Sequence, residues 1–589
     1  MTSPEPAATE APDAFSPASA AASGSPVAAV VGPELSSAAT EVTDRISAGY
    51  ASLAPSVTLG SVVCGAEVNP AAQVKIPLSM FTRHGLVAGA TGTGKTKTLQ
   101  LMAEQLSAAG VAVLMPDVKG DLSGLAQPGI PGDRISTRAA DTGDTWQPSA
   151  YPVEFVSLAG QGNSIQLRAT IDSFGPILLS KVLDLNATQE STLGLIFHWA
   201  DQKAFPLLDT KDLRAVISHL TSAEGKADLT ELGGVSKSTA GVILRAVTNL
   251  EADGGDVFFG EPQWEVQDFL RSVDGRGVIS LLDASGLQSR PAMFSTFMMW
   301  LLSELFEVLP EVGDLEKPKL VFMFDEAHLL FADASKALLS AIAQTVKLIR
   351  SKGVGVFFCT QLPTDVPGPV LSQLGARVQH ALRAFTPQDQ EALAATVKTY
   401  PVTSDYELSS ALTSLGTGEA IVTVLSEKGA PTPVAWTRVR APRSLMAPAS
   451  PEVVAGLVAQ SPLAGKYQVV VDRESAYEML TGRLAAPANE VAPGAAAGGG
   501  SVPVQPPSAR VDWPTLPPLP DPIWPDQPSG QASTAPSYEP DPQSADAGGG
   551  FLSDLTNSPV LKSFWRSLGT SLGGSLGRTI GGTRSKRRR

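Results

Sequence analysis

Eight residues, Gly89-Ala90-Thr91-Gly92-Thr93-Gly94-Lys95-Thr96, put glycine, glycine, lysine and threonine at the fixed positions of a phosphate-binding loop. They follow an apolar run of strand length and open a helix-like stretch, the context such a loop needs. Glycines there let backbone N–H groups converge on phosphate oxygens, and a helix N-terminus adds partial positive charge. Lys95 reads as the residue that reaches the β- and γ-phosphates, and Thr96 as a Mg²⁺ ligand. Lys97 closes the stretch read as the nucleotide cradle. The loop implies ATP and Mg²⁺. It does not say what the energy is used for.

Asp325 and Glu326 follow the apolar run LVFMF. A buried strand ending in two acids presents both at the carboxyl edge of a sheet, where α/β proteins bind ligands. Asp325 then holds Mg²⁺, directly or through water, and Glu326 orients or deprotonates the attacking water. The second acid favours hydrolysis over transfer to an acceptor. Gln361 ends the run VGVFFCT and reads as a γ-phosphate sensor or water-positioning residue. Asp117, in MPDVKGD, ends another run. It is either a further acid of the Mg²⁺ site, steadying bound water or Lys95, or plain turn chemistry. Arginines count because the transition state spreads charge over the γ-phosphate oxygens. Arg350, just before VGVFFCT, is a candidate for reaching a neighbouring subunit. Arg83, just before the strand of the loop, is a candidate within its own subunit. Arg377 and Arg383 are further candidates.

Strands and helices in alternation must hold these residues. Apolar runs at 84–90, 111–117, 276–285, 319–326, 354–361, 377–385 and 419–426 have strand length and suggest burial on both faces. Helical stretches at 96–110 and 335–353 lie between them. The alternation predicts an α/β domain over 49–482 with a mainly parallel sheet. Residues 163–252 read mainly as helix, inside an insertion placed at about 160–260. Residues 1–48 carry too few large apolar side chains for a core and are expected to be disordered. Residues 483–550, rich in Pro and Gly, read as an extended linker.

The formal charge of −14 argues against bulk non-specific nucleic-acid binding, while leaving room for a local basic patch. Two cysteines make no disulfide framework and have no metal-ligand spacing, so no disulfide partner is expected. Cys359, inside an apolar run, reads as a small core residue. This usage suits a reducing cytoplasm, the expected location. No secretory leader is read at the N-terminus, and no stretch reaches the roughly 18 apolar residues of a membrane span.

Residues 551–589 differ from the rest. Phe564, Leu568, Leu572, Leu576 and Ile580 are spaced by four, as are Gly569, Gly573, Gly577 and Gly581, and the end reads TRSKRRR. One reading is a helix that needs a partner surface: another helix, a membrane interface, or the folded domain itself. The other is a solubilising basic tail, whose charge suits DNA or anionic lipid.

Six stretches together carry a resemblance: TRHGLVAGATGTGKTKTLQ, VLMPDVKGDLSGLA, LRATIDSFGPILLSKVLDLNATQES, VFMFDEAHLLF, IRSKGVGVFFCTQLPTDVP and LGARVQHALRAFTPQDQEAL. They resemble the HerA/FtsK superfamily of P-loop ATPases, and within it the bacterial HerA-like family of the YjgR type. The resemblance covers about 83–393 and extends to about 480. It implies a RecA-like core that assembles as a homo-oligomeric ring, often a hexamer, with ATP between subunits. It implies that Arg350 is the arginine acting across the interface. Arg83 falls on the arginine before the loop, and Asp117 on the acid ending the second strand. The residues at 50–80 are too few for the N-terminal barrel of HerA proper. A helicase-like motor on DNA is the activity implied. The rivals are an ATPase that remodels or switches a protein partner, and a nucleotide-dependent scaffold, against which Glu326 argues.

Overall fold

The structure, a computed structural model, describes residues 37–158, 164–228, 234–287, 290–331 and 336–485. The expectations for residues 1–36, for most of the Pro/Gly linker and for the basic tail fall outside the described residues. The chain divides into two compact units. One takes the residues up to 168 and those from 262 to 470; the other takes 169–261 and the residues from 471 onward.

The first unit is built on a sheet of twelve strands among the described residues. Its strands are β1 (Ser56–Cys64), β2 (Glu67–Pro77), β3 (Gly85–Ala88), β4 (Ala112–Asp117), β5 (Val153–Ser157) and β6 (Ile165–Gln166) in the first half of the chain. A separate small ribbon, β7 (Ser272–Val273) with β8 (Arg276–Gly277), precedes the rest. These are β9 (Ile279–Asp283), β10 (Leu320–Phe324), β11 (Val354–Thr360), β12 (Ala376–Gln379), β13 (Glu419–Thr423) and β14 (Ala435–Val439). The order is β2-β1-β14-β13-β12-β3-β11-β10-β4-β9-β5-β6. From β12 to β6 every pairing is parallel. From β13 to β2 every pairing is antiparallel.

This division follows from side-chain pattern. Every residue of β3, β4, β10 and β11 is buried, as near-continuous apolar runs require when helices cover both faces. Phe322, Phe324, Phe357 and Phe358 form the centre of that core. β14 alternates buried and half-buried positions, as an antiparallel strand with one wetted face does. β14 and the second half of β2 were not legible as apolar runs for this reason; β1 is buried at Leu59–Val63 but carries Gly60 and Ser61 inside that stretch. The run 276–285 splits between the ribbon and β9.

A helix, Ser37–Gly49, corrects the expectation of disorder through residue 48. Ala39, Thr43, Ile46 and Tyr50 recur at helical spacing and are buried. The Tyr50 hydroxyl donates to the carbonyls of Val422 (3.0 Å) and Pro433 (2.8 Å), tying the helix end to the antiparallel block.

The second unit contains the helices Ile171–Val182, Ala187–Gln202, Thr210–Thr221 and Lys237–Leu250, with the returning helix Ala476–Ala485. Asp212 is the polar centre of this unit. It is fully buried and accepts from the N–H groups of Leu208, Asp209 and Tyr477 and from the Ser475 hydroxyl. Residues 471–485 therefore complete the insertion, a pairing of distant segments that the sequence did not announce. No described helix is long and apolar enough to cross a membrane.

Candidate nucleotide and hydrolysis site

The phosphate loop leaves the carboxyl end of β3 and turns into the helix Lys95–Ala108. Gly89 and Gly94 show why glycine is needed. Gly89 has φ +150°, and a Cβ there would lie 2.5 Å from the Cβ of His380; Gly94 has φ +115° and faces Gly418. No side chain caps the N-terminus of the helix, which leaves its first N–H groups for an anion. The Lys95 ammonium donates to the carbonyls of Gly89 (2.7 Å) and Ala90 (3.2 Å), spanning the loop where phosphate oxygens would lie. Thr96 is half-buried at the start of the helix. Lys97 turns aside and donates to the Gln100 side chain at 3.0 Å.

The loop is held from below by residues that sequence reading did not single out. The Ala90 N–H donates to Ala381 O (2.8 Å), and the Gly418 N–H donates to Thr93 O (2.9 Å). Between these contacts lies His380, fully buried, its Nδ1 2.8 Å from Glu419 O and its Nε2 2.9 Å from Thr98 Oγ1. Nδ1–H therefore donates to the carbonyl, and Nε2 accepts from the hydroxyl. Burial pushes this imidazole down to about 4, with Lys95 adding to the effect against the pull of the Glu419 carbonyl. Arg138 braces the same turn from outside, donating to Thr417 O, Gly418 O and Val439 O. No spacing rule connects His380 or Arg138 to the loop. Strand pairing brings His380 there, and the helix Asp133–Asp141 brings Arg138.

Asp325 and Glu326 follow β10, which is separated from β3 by β11 alone. Two strand spacings, about 10 Å, thus separate the acids from the loop. The Asp325 carboxyl is buried, accepts the N–H of Glu326 at 2.9 Å through Oδ1, and has the Cys359 thiol beside it. Burial, then the Glu326 charge, raise its pKa above the usual carboxylate range. Its Oδ2 is buried without a hydrogen-bond partner, an acceptor suited to the shell of a hard cation. Glu326 sits at φ +51°, uncommon for a non-glycine residue. Its Oε1 pairs with the Lys119 ammonium. Its Oε2 lies 3.2 Å from His328 Nδ1 without the alignment of a hydrogen bond, and neither atom has such a partner. Gln361, exposed just past β11, accepts the Gly89 N–H through its backbone carbonyl at 3.2 Å.

Asp117 is buried, and both its oxygens are engaged. Oδ1 accepts from Gly120 N–H (2.7 Å) and Oδ2 from Leu122 N–H (3.1 Å). Burial pushes it up to about 6, the Leu122 N–H works against this, and Asp121 adds to it. Of the two readings the sequence left open, these contacts are those of turn chemistry. Lys119, inside that turn, is the residue the sequence reading passed over.

The arginines separate. Arg350 and Arg83 lie together before β11 and β3, at the amino edge of the sheet, opposite the loop. Arg350 donates to Asp314 at 2.6 Å. Burial, then the neighbouring Arg350 charge, lower the Arg83 pKa. β3 alone is four residues, roughly 13 Å. The expectation that Arg83 serves its own loop is corrected on that ground: its own strand stands between them. Arg377 is half-buried and donates to Leu371 O. Arg383 does reach its own loop, its Nη2 3.4 Å from Thr91 O.

A phosphate loop and an acidic strand end, one strand apart at the carboxyl edge of a parallel sheet, define a RecA-like P-loop ATPase, a site that takes ATP and Mg²⁺. The model of the helicase HerA-like C-terminal family matches residues 65–504, and the chain belongs to that family, within the HerA/FtsK superfamily. Among solved structures, plasmid coupling protein TrwB with a non-hydrolysable ATP analogue is similar at 16% identity, covering 69% of this chain and 94% of that one, with a TM-score of 0.44. The same protein with ADP and Mg²⁺ is similar at 16% identity over 69% and 93%, TM-score 0.44. VirB4 of Thermoanaerobacter pseudethanolicus is similar at 13% identity over 67% and 98%, TM-score 0.42. The family assignment rests on the sequence match and not on these likenesses. No curated protein matches the chain by sequence.

Proposed function

We propose that this ATPase works as a ring motor that moves a polymer, DNA first among candidates. The observation that carries the ring is the separation of the charges. Arg350 and Arg83 stand at the edge of the sheet opposite their own phosphate loop, so a neighbouring subunit is the loop they can serve. DNA enters through the family, whose description is that of a helicase. The net charge of −14 favours the second reading, in which the cycle remodels a protein partner instead.

In either case the hydrolytic step uses the same atoms. Lys95 and the loop N–H groups hold the β- and γ-phosphates. Thr96 and Asp325 would hold Mg²⁺, which neutralises charge on the phosphate oxygens. Glu326 Oε2 accepts a proton from, or a hydrogen bond of, the water that attacks the γ-phosphorus. Gln361 and the arginines of the neighbouring subunit complete the surroundings of the transferring group.

Glu326→Gln is expected to lower kcat by on the order of a hundredfold or more while ATP binding persists. DNA-stimulated turnover by a ring of measured mass supports the motor. A ring that hydrolyses ATP at one rate with and without single- or double-stranded DNA points to the protein partner.

A further inference from the structure

The segment MPDVKGD does more than end a strand. Both Asp117 oxygens bind backbone N–H groups of the turn, at Gly120 and Leu122. Gly120 takes φ +75° so that the turn can close. The carboxylate thus fixes the conformation of residues 118–122, and one of these is Lys119.

β4 lies beside β10 in a parallel pairing that sets Ala112 opposite Leu320 and Leu114 opposite Phe322. Continued past both strand ends, that register brings the 118–119 pair level with Glu326. The Lys119 ammonium meets Glu326 Oε1 there. The Lys119 side chain is 43% exposed and that of Glu326 only 10%. A cation reached from a rigid turn therefore touches one oxygen of a mostly buried carboxylate. The other oxygen, Oε2, has no hydrogen-bond partner.

We infer that Lys119 is a positioning residue, holding Glu326 by Oε1 so that Oε2 is the oxygen presented to the attacking water. The inference rests on the reading of Glu326 as the residue that acts on that water. Its physical basis is charge. Glu326 sits next to the Asp325 carboxyl and, in the working site, near an anionic γ-phosphate. Both repel a carboxylate turned toward them. Without Lys119 the nearest remaining side-chain partner is the His328 ring, 3.2 Å from Oε2 but not aligned as a hydrogen bond, so nothing among the described residues holds Oε1 away from the nucleotide. The pair is half-buried, with the cation reaching in from solvent to a carboxylate that is 10% exposed, so a role in stability is separated from positioning by the Tm of the Lys119 variants.

The test uses the full chain and steady-state ATP hydrolysis, with Lys119→Met, Lys119→Arg, Glu326→Gln and the double variant Lys119→Met/Glu326→Gln. Lys119→Met is expected to lose on the order of tenfold or more in kcat, with KM for ATP changed by less than about twofold. Its Tm should stay within about 2 °C of the wild type. Lys119→Arg should keep most of kcat, because a cation is retained. In the Glu326→Gln background, Lys119→Met should cost nothing further, since groups that act as a unit are not additive. Wild-type or faster turnover by Lys119→Met overturns the inference. So does a loss carried by KM, or an equal fractional loss with and without Glu326, either of which makes Lys119 a direct nucleotide contact. Wild-type turnover by Glu326→Gln alone brings down the reading of Glu326, and this inference with it.

Discussion

Two buried histidines illustrate how single residues serve the site without touching nucleotide. His380 joins Thr98 of the loop helix to Glu419 O. His84, at φ +61°, accepts the Val356 N–H at 3.0 Å beneath the Arg83–Arg350 pair. Burial pushes both imidazoles down to about 4 from an ordinary value of 6.5. Between those values the unfolded chain binds protons that the folded chain refuses. Each histidine therefore contributes stability in full above about pH 6.5, and loses it as pH falls toward 4. For one histidine the span is worth up to roughly 3 kcal/mol. Asp117, at about 6, and Glu304, at about 7, are shifted the other way and oppose this slope. The expected outcome is thus a difference: from pH 7 to 5, Tm of His380→Gln should fall less steeply than that of the wild type. Parallel slopes would mean that His380 carries a proton in the fold.

At the scale of elements, the loop helix is fastened along its length by polar groups buried against the segment 443–445. Glu104 is buried and accepts from the N–H of Arg443 (2.8 Å), the N–H of Ser444 (2.8 Å) and the Ser444 hydroxyl. Gln100 donates to Ser444 Oγ (2.7 Å) and Leu445 O (2.9 Å). A helix whose interior face carries glutamate and glutamine reads in sequence as partly solvated. Here those residues replace water with a distant backbone. Glu104→Ala strands a buried N–H at Ser444 and a part-buried one at Arg443, and is expected to cost about 3 kcal/mol, read as a lower urea midpoint. Glu104→Gln keeps an acceptor and should cost about 1 kcal/mol. Equal losses for the two variants would mean that packing, not hydrogen bonding, fastens the helix.

At the scale of the whole molecule, the proposed ring would make activity a property of neighbours, because Arg350 stands at the sheet edge opposite its own loop. Lys95→Ala removes the loop lysine and Arg350→Ala the arginine of the opposite edge, so each variant alone is expected to be inactive. In an equal mixture, random pairing sets an intact loop against an intact arginine at roughly a quarter of interfaces. ATPase recovery near that fraction is expected from co-assembled subunits. Silent mixtures, with co-assembly shown by mass, would remove Arg350 from the neighbour's site.

The sequence by itself determined the parts that are local. The phosphate loop is eight contiguous residues whose glycines are needed for their own backbone angles. Asp325 and Glu326 follow from the strand they end, and the parallel core from apolar runs that only burial on both faces explains. Tertiary structure decided what depends on register between segments far apart in the chain. It set Lys119 against Glu326 by the pairing of β4 with β10, and His380 under Gly89 by the pairing of β12 with β3. It put Arg83 and Arg350 on the far edge, since strand direction, invisible in a list of apolar runs, fixes which end faces the nucleotide. A spacing rule describes neighbours along a chain. Neighbours across a sheet exist only once the strand order is chosen.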